Sequence, residues 1–238
     1  KSIQTDDYLK TQIQKIIGNK TVDINIISKQ VWPLGSQIAN QFTAGRILFV
    51  GDSIHQFSPT GGMGMNTGLD DADNLMWKLA YVIQGKTHPD ILNSYVIERL
   101  PIILTNMDWS LKNLHRIIKI RQLLSKQDID KIDIQPIIQA QQAHLDKSGL
   151  DLGVIYESDY IMKSDIDMPI IAANNYQPTT YPGSRLPHFE LIRNSTTISS
   201  LDLISTEFVM LCETNAVSHA KQIDFKTIIT KIIAIDDT

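Results

Sequence analysis

GRILFVGDSIHQFSPTGGMGMNTGLDDADNLMWKL, running from Gly45 to Leu79, decides how this chain is read. It opens on an apolar run, Ile47-Leu48-Phe49-Val50, bounded by Gly45 and Gly51, which reads as a short buried strand. A loop follows with Pro59 and the glycines Gly61, Gly62, Gly64 and Gly68. From about Asn66 the pattern turns helical, with Leu69, Ala72, Leu75, Met76, Leu79, Ala80 and Ile83 on one broad face. A strand, a glycine-rich loop and a helix N-terminus together suit an anion or a polarised carbonyl. Glycines let backbone approach a ligand closely, and the first N–H groups of a helix have no partner within it.

The stretch resembles the second flavin-binding motif of the FAD-dependent aromatic hydroxylases, the single-component flavoprotein monooxygenases of the para-hydroxybenzoate and phenol hydroxylase type. The family pattern is G-D-A-A-H, a spacer, P-T-G-G-x-G-x-N, then a helix with D-A-x-N-L-x-W-K-L. This chain has Gly51-Asp52-Ser53-Ile54-His55, then Pro59-Thr60-Gly61-Gly62-Met63-Gly64-Met65-Asn66, then Asp71-Ala72-Asp73-Asn74-Leu75-Met76-Trp77-Lys78-Leu79. Ser53 and Ile54 replace two alanines, and Ser58 stands where a proline often precedes Pro59. Further on, Tyr95, Glu98, Arg99 and Pro101 match a family Y-E-x-E-R-R-P, with Leu100 in place of the second arginine.

The composition sets broad bounds. With 238 residues, 42% of them apolar and 20% charged, the chain has the length and character of a globular protein with a sizeable core. A net charge of −4 without a basic cluster argues against a nucleic-acid partner. Cys212 is the only cysteine, which excludes an internal disulfide and fits a reducing cytoplasm. No apolar run approaches the ~20 residues of a membrane helix, and no signal peptide is apparent. The chain begins with Lys1 and lacks the G-x-G-x-x-G fingerprint and central D-G motif of the family, so it reads as the C-terminal portion of such an enzyme, catalytically silent by itself.

Taken in order, Asp6-Asp7 read as a helix N-cap region. Tyr8, Leu9, Ile13, Ile16 and Ile17 follow at helical spacing, and Gly18 is the stop. Val22, Ile24 and Ile26 alternate with Asp23 and Asn25 as a strand with one buried face. Trp32, before Pro33, reads as core packing. Gly85 to Pro89 is a turn, and a long helix begins near Asp90, with Pro101 expected to kink or restart it. Trp109, Leu111, Leu114, Ile117 and Ile118 continue its apolar face, and two shorter helical patterns fill 121–147. Asn174, Asn175, Pro178 and Pro182 mark a linker, and Phe208-Val209-Met210-Leu211 is strand-like.

The resemblance implies an α/β (α+β) fold: the C-terminal part of a FAD/NAD(P)-binding flavoprotein hydroxylase followed by a partial thioredoxin-like domain. It divides the chain into the end of a substrate-binding sheet domain (1–44), part of the FAD-binding domain with a helical extension (45–158), a linker (159–185) and the thioredoxin-like part (186–238). That last part has no C-x-x-C, so no redox role attaches to it. The implied reaction is hydroxylation of a phenolic or related aromatic substrate with O₂ and NAD(P)H, in a cytoplasmic protein that is a candidate homodimer. The implied FAD contacts are Gly51, Asp52, Pro59, Gly61, Gly62, Gly64, Met65 and Asn66. Asp52 would accept a hydrogen bond from a ribityl hydroxyl, Pro59 would shape the ring edge, and the Met65 and Asn66 N–H groups would face the flavin N1–C2=O locus. No catalytic acid or base is assigned.

Other readings of the same residues are weaker. Ser53 in Gly51-Asp52-Ser53 evokes the G-D-S esterases, but the only D-x-x-H is Asp52 to His55, inside the motif. No G-K-S/T follows the glycines at the spacing of a Walker motif, which excludes a Walker loop. Asp70, Asp71 and Asp73 fall where acids complement a helix dipole, without a histidine at ligand spacing, so no metal is assigned. His55 reads as a satisfied structural group, Trp77 as packing and Lys78 as a snorkelling amine. The alternative from a different class is an inactive fragment or flavoprotein-derived interaction module.

Overall fold

Thr5, Asp6 and Asp7 open the first helix of the computed structural model, α1 (Asp6–Ile17), with the Thr5 hydroxyl accepting from the Tyr8 N–H. Gly18 closes it at φ 74°, the left-handed turn that glycine adopts without strain. The structure describes residues 4–32, 34–124, 135–193, 195–204, 208–222 and 230–235, and divides into the units Lys1–Gly35 and Ser36–Thr238.

In the first unit the alternation of Val22, Ile24 and Ile26 is realised: all three are half-buried between exposed neighbours. The expected strand is not. Residues 22–32 form no regular element and pair with no strand among the described residues; the Val22 carbonyl instead accepts from the Gln14 side chain at 2.9 Å. Alternation fixes which way side chains point, whereas a ladder requires a partner. Trp32 is 76% exposed, so it is not a core residue. Pro33 lies outside the described residues.

The second unit begins with four two-residue strands in two antiparallel pairs. β1 (Gln37–Ile38) pairs with β4 (His55–Gln56), and β2 (Thr43–Ala44) with β3 (Ile47–Leu48). The apolar run Ile47–Val50 is less buried than expected. Ile47 is exposed and the next three residues are half-buried, because among the described residues β3 is an edge whose only ladder is this short hairpin. A 3-10 turn, Gly51–Ser53, then leads through β4 and the glycine loop to α2 (Met63–Ile83).

A 3-10 turn, Pro89–Leu92, leads into α3 (Asn93–Leu124), which runs on through Pro101 rather than restarting there. The proline removes the donor to the Ile97 carbonyl, and Ile97 lies on the exposed face of α3. α2 and α3 pack together over a core of Phe42, Ile54, Leu75, Tyr95 and Ile103, with Phe49, Val50, Phe57 and Leu92 against it. The apolar face assigned to α3 fades past Trp109: Leu111 and Leu114 are half-buried, and Ile117 and Ile118 are exposed.

Of the helical patterns expected over 121–147, α4 (Gln135–Leu145) forms, and 125–134 lies outside the described residues. After α5 (Ser148–Leu152) the chain to Phe189 is irregular but tied down. Ile155 bridges to Ser184, and the Tyr156 N–H donates to the Gly183 carbonyl. The hairpin β5 (Glu190–Arg193) and β6 (Thr196–Ser199) follows. Then β7 (Phe208–Glu213), the short α6 (Val217–Ala220) and β8 (Thr230–Ile235) form a parallel strand pair with a crossover between them. No helix among the described residues is long and apolar enough to cross a membrane.

Candidate functional site

The loop that the sequence marks as the flavin motif is built onto two helices. Gly51 adopts φ 57°, and a side chain placed on Gly68 would come within 3.3 Å of the Gly51 Cα. The 51–53 turn and the first half of α2 therefore pack backbone against backbone, which requires glycine on both sides. Farther along, Ser58, Thr60 and Gly61 are clamped to α3. The Ser110 hydroxyl donates to the Ser58 and Thr60 carbonyls at 2.9 and 3.2 Å, and the Thr60 hydroxyl donates to the Ser110 carbonyl at 2.7 Å. Gly61, at φ 94°, lies under the Trp109 ring, where an added Cβ would stand 2.3 Å from the Trp109 Cζ3.

Gly62, at φ 63°, turns the chain into α2, whose first residue is Met63, three positions before the expected start. No side chain caps this helix, so its first N–H groups, up to that of Met65, have no partner within it, whereas Asn66, four residues after the Gly62 cap, stands where the first intrahelical bond is made. Asp52, Pro59, Gly62, Met65 and Asn66 are exposed, while Gly51, Gly61 and Gly64 are half-buried. The Asp52 carboxylate has neither a hydrogen bond nor an ion pair among the described residues. The predicted residues thus come together around the N-terminal half of α2: a free carboxylate on a turn packed against the helix, a clamped loop, and uncapped backbone donors. Polyhydroxylated chains are bound by carboxylates of this kind, and helix N-termini suit developing anions.

The buried face of α2 differs from the apolar face assigned to it. Leu69, Met76 and Ile83 are exposed, and Leu75 alone of that set is fully buried. The inward stripe is Met63, Thr67, Asp71, Asn74, Leu75 and Lys78, which is largely polar. Asp71 is fully buried and accepts from the Arg99 Nε at 2.8 Å, lies 2.6 Å from the His55 Nε2, and accepts from the Gly51 N–H at 3.3 Å. It is therefore no surface acid complementing a dipole. Burial pushes its carboxyl up, but the hydrogen bonds from His55 and Arg99 and the guanidinium charge outweigh this and hold it below the usual range.

Lys78 is 1% exposed and does not snorkel; its amine donates to Glu98 at 2.6 Å and to Asn74 at 2.8 Å. Glu98 also accepts from Asn74 and from the Ser158 hydroxyl. Burial lowers the Lys78 amine despite this partner. His55 is satisfied at Nε2, while its Nδ1 is buried without a partner. Because the Asp71 carboxylate can only accept, the proton of their bond is on Nε2. Arg99 also donates to the Tyr156 hydroxyl at 2.9 Å, tying the irregular segment to the two helices.

Sequence reasoning missed Ser110, Asn113 and Tyr156. For the first two a signal exists: Asn106, Ser110 and Asn113 recur at helical spacing among apolar neighbours, opposite the α2 stripe of Thr67, Asp71, Asn74 and Lys78. Nothing local marks Tyr156. An open hollow of about 230 Å³ lies beside the start of α2, lined by Met63, Asn66, Asp70, Asn106, Leu150 and Asp151. A larger one, about 450 Å³, is lined by Tyr156, Ser158, Lys163 and Tyr181 among others and by none of the predicted residues.

A family model for an FAD binding domain matches residues 1–110. The 2,4-dichlorophenol 6-monooxygenase of Delftia acidovorans is 26% identical over 80% of this chain and 37% of its own length. The chain is similar to FAD-dependent aromatic hydroxylases. A second relative, the tetracenomycin A2 monooxygenase-dioxygenase of Streptomyces glaucescens, is 29% identical over 87% of this chain and 34% of its own. Among solved structures, the flavin-dependent monooxygenase PieE in complex with FAD and substrate superposes over the whole chain and 47% of its own, with TM-score 0.84 and 24% identity. The chain thus spans about a third of the length of these curated relatives. The hydroxylase family and the mixed α/β character agree with the expectation from the sequence.

Proposed function

We propose that the protein is an FAD-dependent monooxygenase that hydroxylates a phenolic or related aromatic ring, using O₂ and NAD(P)H. The observation that carries this is the free Asp52 carboxylate on a turn packed against an uncapped helix start, in a chain whose residues 1–110 match an FAD binding domain. The dichlorophenol in the name of one relative supports the phenolic class. We assign Gly51, Asp52, Pro59, Gly61, Gly62, Gly64, Met65 and Asn66 to the flavin. The bound flavin supplies the redox and oxygen chemistry.

The chain's own contribution is placement and electrostatics. Asp52 would accept a hydrogen bond from a hydroxyl of the ribityl chain. Gly61 and Gly62 bring bare backbone to the ring, and Pro59 gives that edge a fixed shape. The N–H groups at the start of α2 stabilise negative charge on the pyrimidine side of the reduced ring by about 0.3–2 kcal/mol. Residues 1–44 end the substrate-binding sheet domain, 45–158 belong to the FAD domain with its helical extension, 159–185 link, and 186–238 form part of a thioredoxin-like domain. The parallel β7–β8 pair with its crossover supports that last assignment. The protein is cytoplasmic, and the assembly we expect is a homodimer.

The test is the visible absorbance of the purified full-length protein before and after Asp52→Ala. Flavin bands that weaken in the variant are expected. A colourless protein that FAD cannot reconstitute refutes the reading and leaves the motif as the scaffold of an interaction module.

A further inference from the structure

A fully buried carboxylate is a costly thing to place between two helices, and an apolar side chain would pack there at least as well. What Asp71 does that an apolar residue could not is visible in its donors. Its Oδ2 lies 3.3 Å from the Gly51 N–H and 2.6 Å from the His55 Nε2. One oxygen therefore holds both ends of the segment 51–55, with Asp52 between them. Gly51, at φ 57°, is a residue with wide conformational freedom, so the turn must be fixed from outside. The other oxygen, Oδ1, accepts from the Arg99 Nε, and the Arg99 Nη2 donates to the Thr67 carbonyl at 3.2 Å, one turn after the start of α2.

Resting on the proposed flavin site, we infer that Asp71 is a positioning residue for the flavin: through Gly51, His55 and Arg99 it sets where the Asp52 carboxylate stands relative to the α2 N-terminus. These are the two points at which the cofactor is held, so an error in their spacing weakens binding without removing either group. His55 shares the role as the donor that closes the turn. The Asp71 carboxylate only accepts, so the Nε2–H of His55 donates and the direction of the bond is fixed.

The experiment is titration of FAD into the full-length apoprotein, read as a dissociation constant. Asp71→Asn is expected to raise that constant by about tenfold or more, as loss of a charged hydrogen-bond acceptor does. If Asp71 acts through Asp52, adding Asp71→Asn to Asp52→Ala raises the constant by no more than about threefold further. A purely structural role would instead multiply the two effects. Lys78→Met, which breaks the neighbouring buried pair without touching the turn, lowers stability and leaves the constant within about twofold. Should Asp71→Asn fail to fold, His55 decides: His55→Gln, which keeps a donor, stays near wild type, and His55→Leu does not. An unchanged constant in Asp71→Asn, a fully multiplicative double variant, or equal constants in the two His55 variants overturns the inference. A wild-type protein that binds no FAD overturns the proposed function instead.

Discussion

Gly61 offers the sharpest test of how the flavin loop is held. Replacing it with alanine has two separable effects. At φ 94° an alanine is strained by about 1–2 kcal/mol, since the Cβ crowds the following carbonyl. The new methyl would also stand 2.3 Å from the Trp109 Cζ3 and 3.1 Å from the Asn113 Nδ2, both on buried side chains. Overpacking of that kind costs a further ~1–3 kcal/mol. Gly61→Ala should therefore lower stability by about 2–5 kcal/mol, and each kcal/mol moves the melting temperature by about 2–4 °C in a protein of this size. Gly62 is the internal control, at φ 63° with nothing within 4 Å of the added Cβ, so Gly62→Ala should show the backbone part alone. The assay is urea unfolding of both variants. In the Gly61→Ala background, Trp109→Leu should restore part of the loss by making room. Equal destabilisation at the two positions would refute the argument, because it would mean that Trp109 does not hold the loop down.

Three other outcomes follow from the buried groups. Lys78→Met should cost ~3–5 kcal/mol by leaving Glu98 buried without its cation, and Glu98→Gln added to it should recover much of that; thermal unfolding of the single and double variants checks this. The Asp71 and Glu98 carboxyls are pushed up by burial, but their hydrogen bonds and cationic partners outweigh this and hold both below their ordinary values. Their stabilisation is complete above about pH 4, the unfolded value, and is lost as pH falls through the folded values. The urea midpoint should drop on acidification below about pH 4, and Glu98→Gln should flatten that fall. Tyr95, whose hydroxyl donates to the Phe49 carbonyl at 3.0 Å, has its phenol pushed up by burial. Its stabilisation is present below about pH 10 and lost above it, so the alkaline fall of the urea midpoint should diminish in Tyr95→Phe.

The parts of this chain legible in its sequence are those governed by local rules. Gly18 ends a helix because it adopts positive φ, and the acids Asp6 and Asp7 mark a helix start, although the cap itself is Thr5 and α2 begins at Met63 rather than near Asn66. The long motif from Gly51 to Leu79 carries the resemblance to the hydroxylases by itself. What was not legible depends on partners far away in sequence. Val22, Ile24 and Ile26 alternate correctly, yet no strand lies beside them among the described residues. Pro101 reads as a break, but it falls where α3 can lose one donor on its outer face. Asp71, seen locally, is one acid in a helical first turn. Only the arrival of Arg99, 28 residues later, and of His55, 16 residues earlier, makes it a buried hub.

The polar stripe also bears on why α2 is built as it is. An apolar seam between α2 and α3 would let the helices slide by small amounts at little cost, since dispersion is non-directional. Hydrogen-bonded charges do not allow this. Moving α3 by one residue would part Arg99 from Asp71 and Glu98 from Lys78 together, leaving four charges in a site without water. The same register places Ser110 and Trp109 over Thr60 and Gly61, and Asn106 against Thr67. The ion pairs therefore contribute little as a source of stability and much as an alignment device. Arg99 and Ser110, which help fix α3 against α2, also fix, through Asp71 and Thr60, the turn and the loop assigned to the flavin.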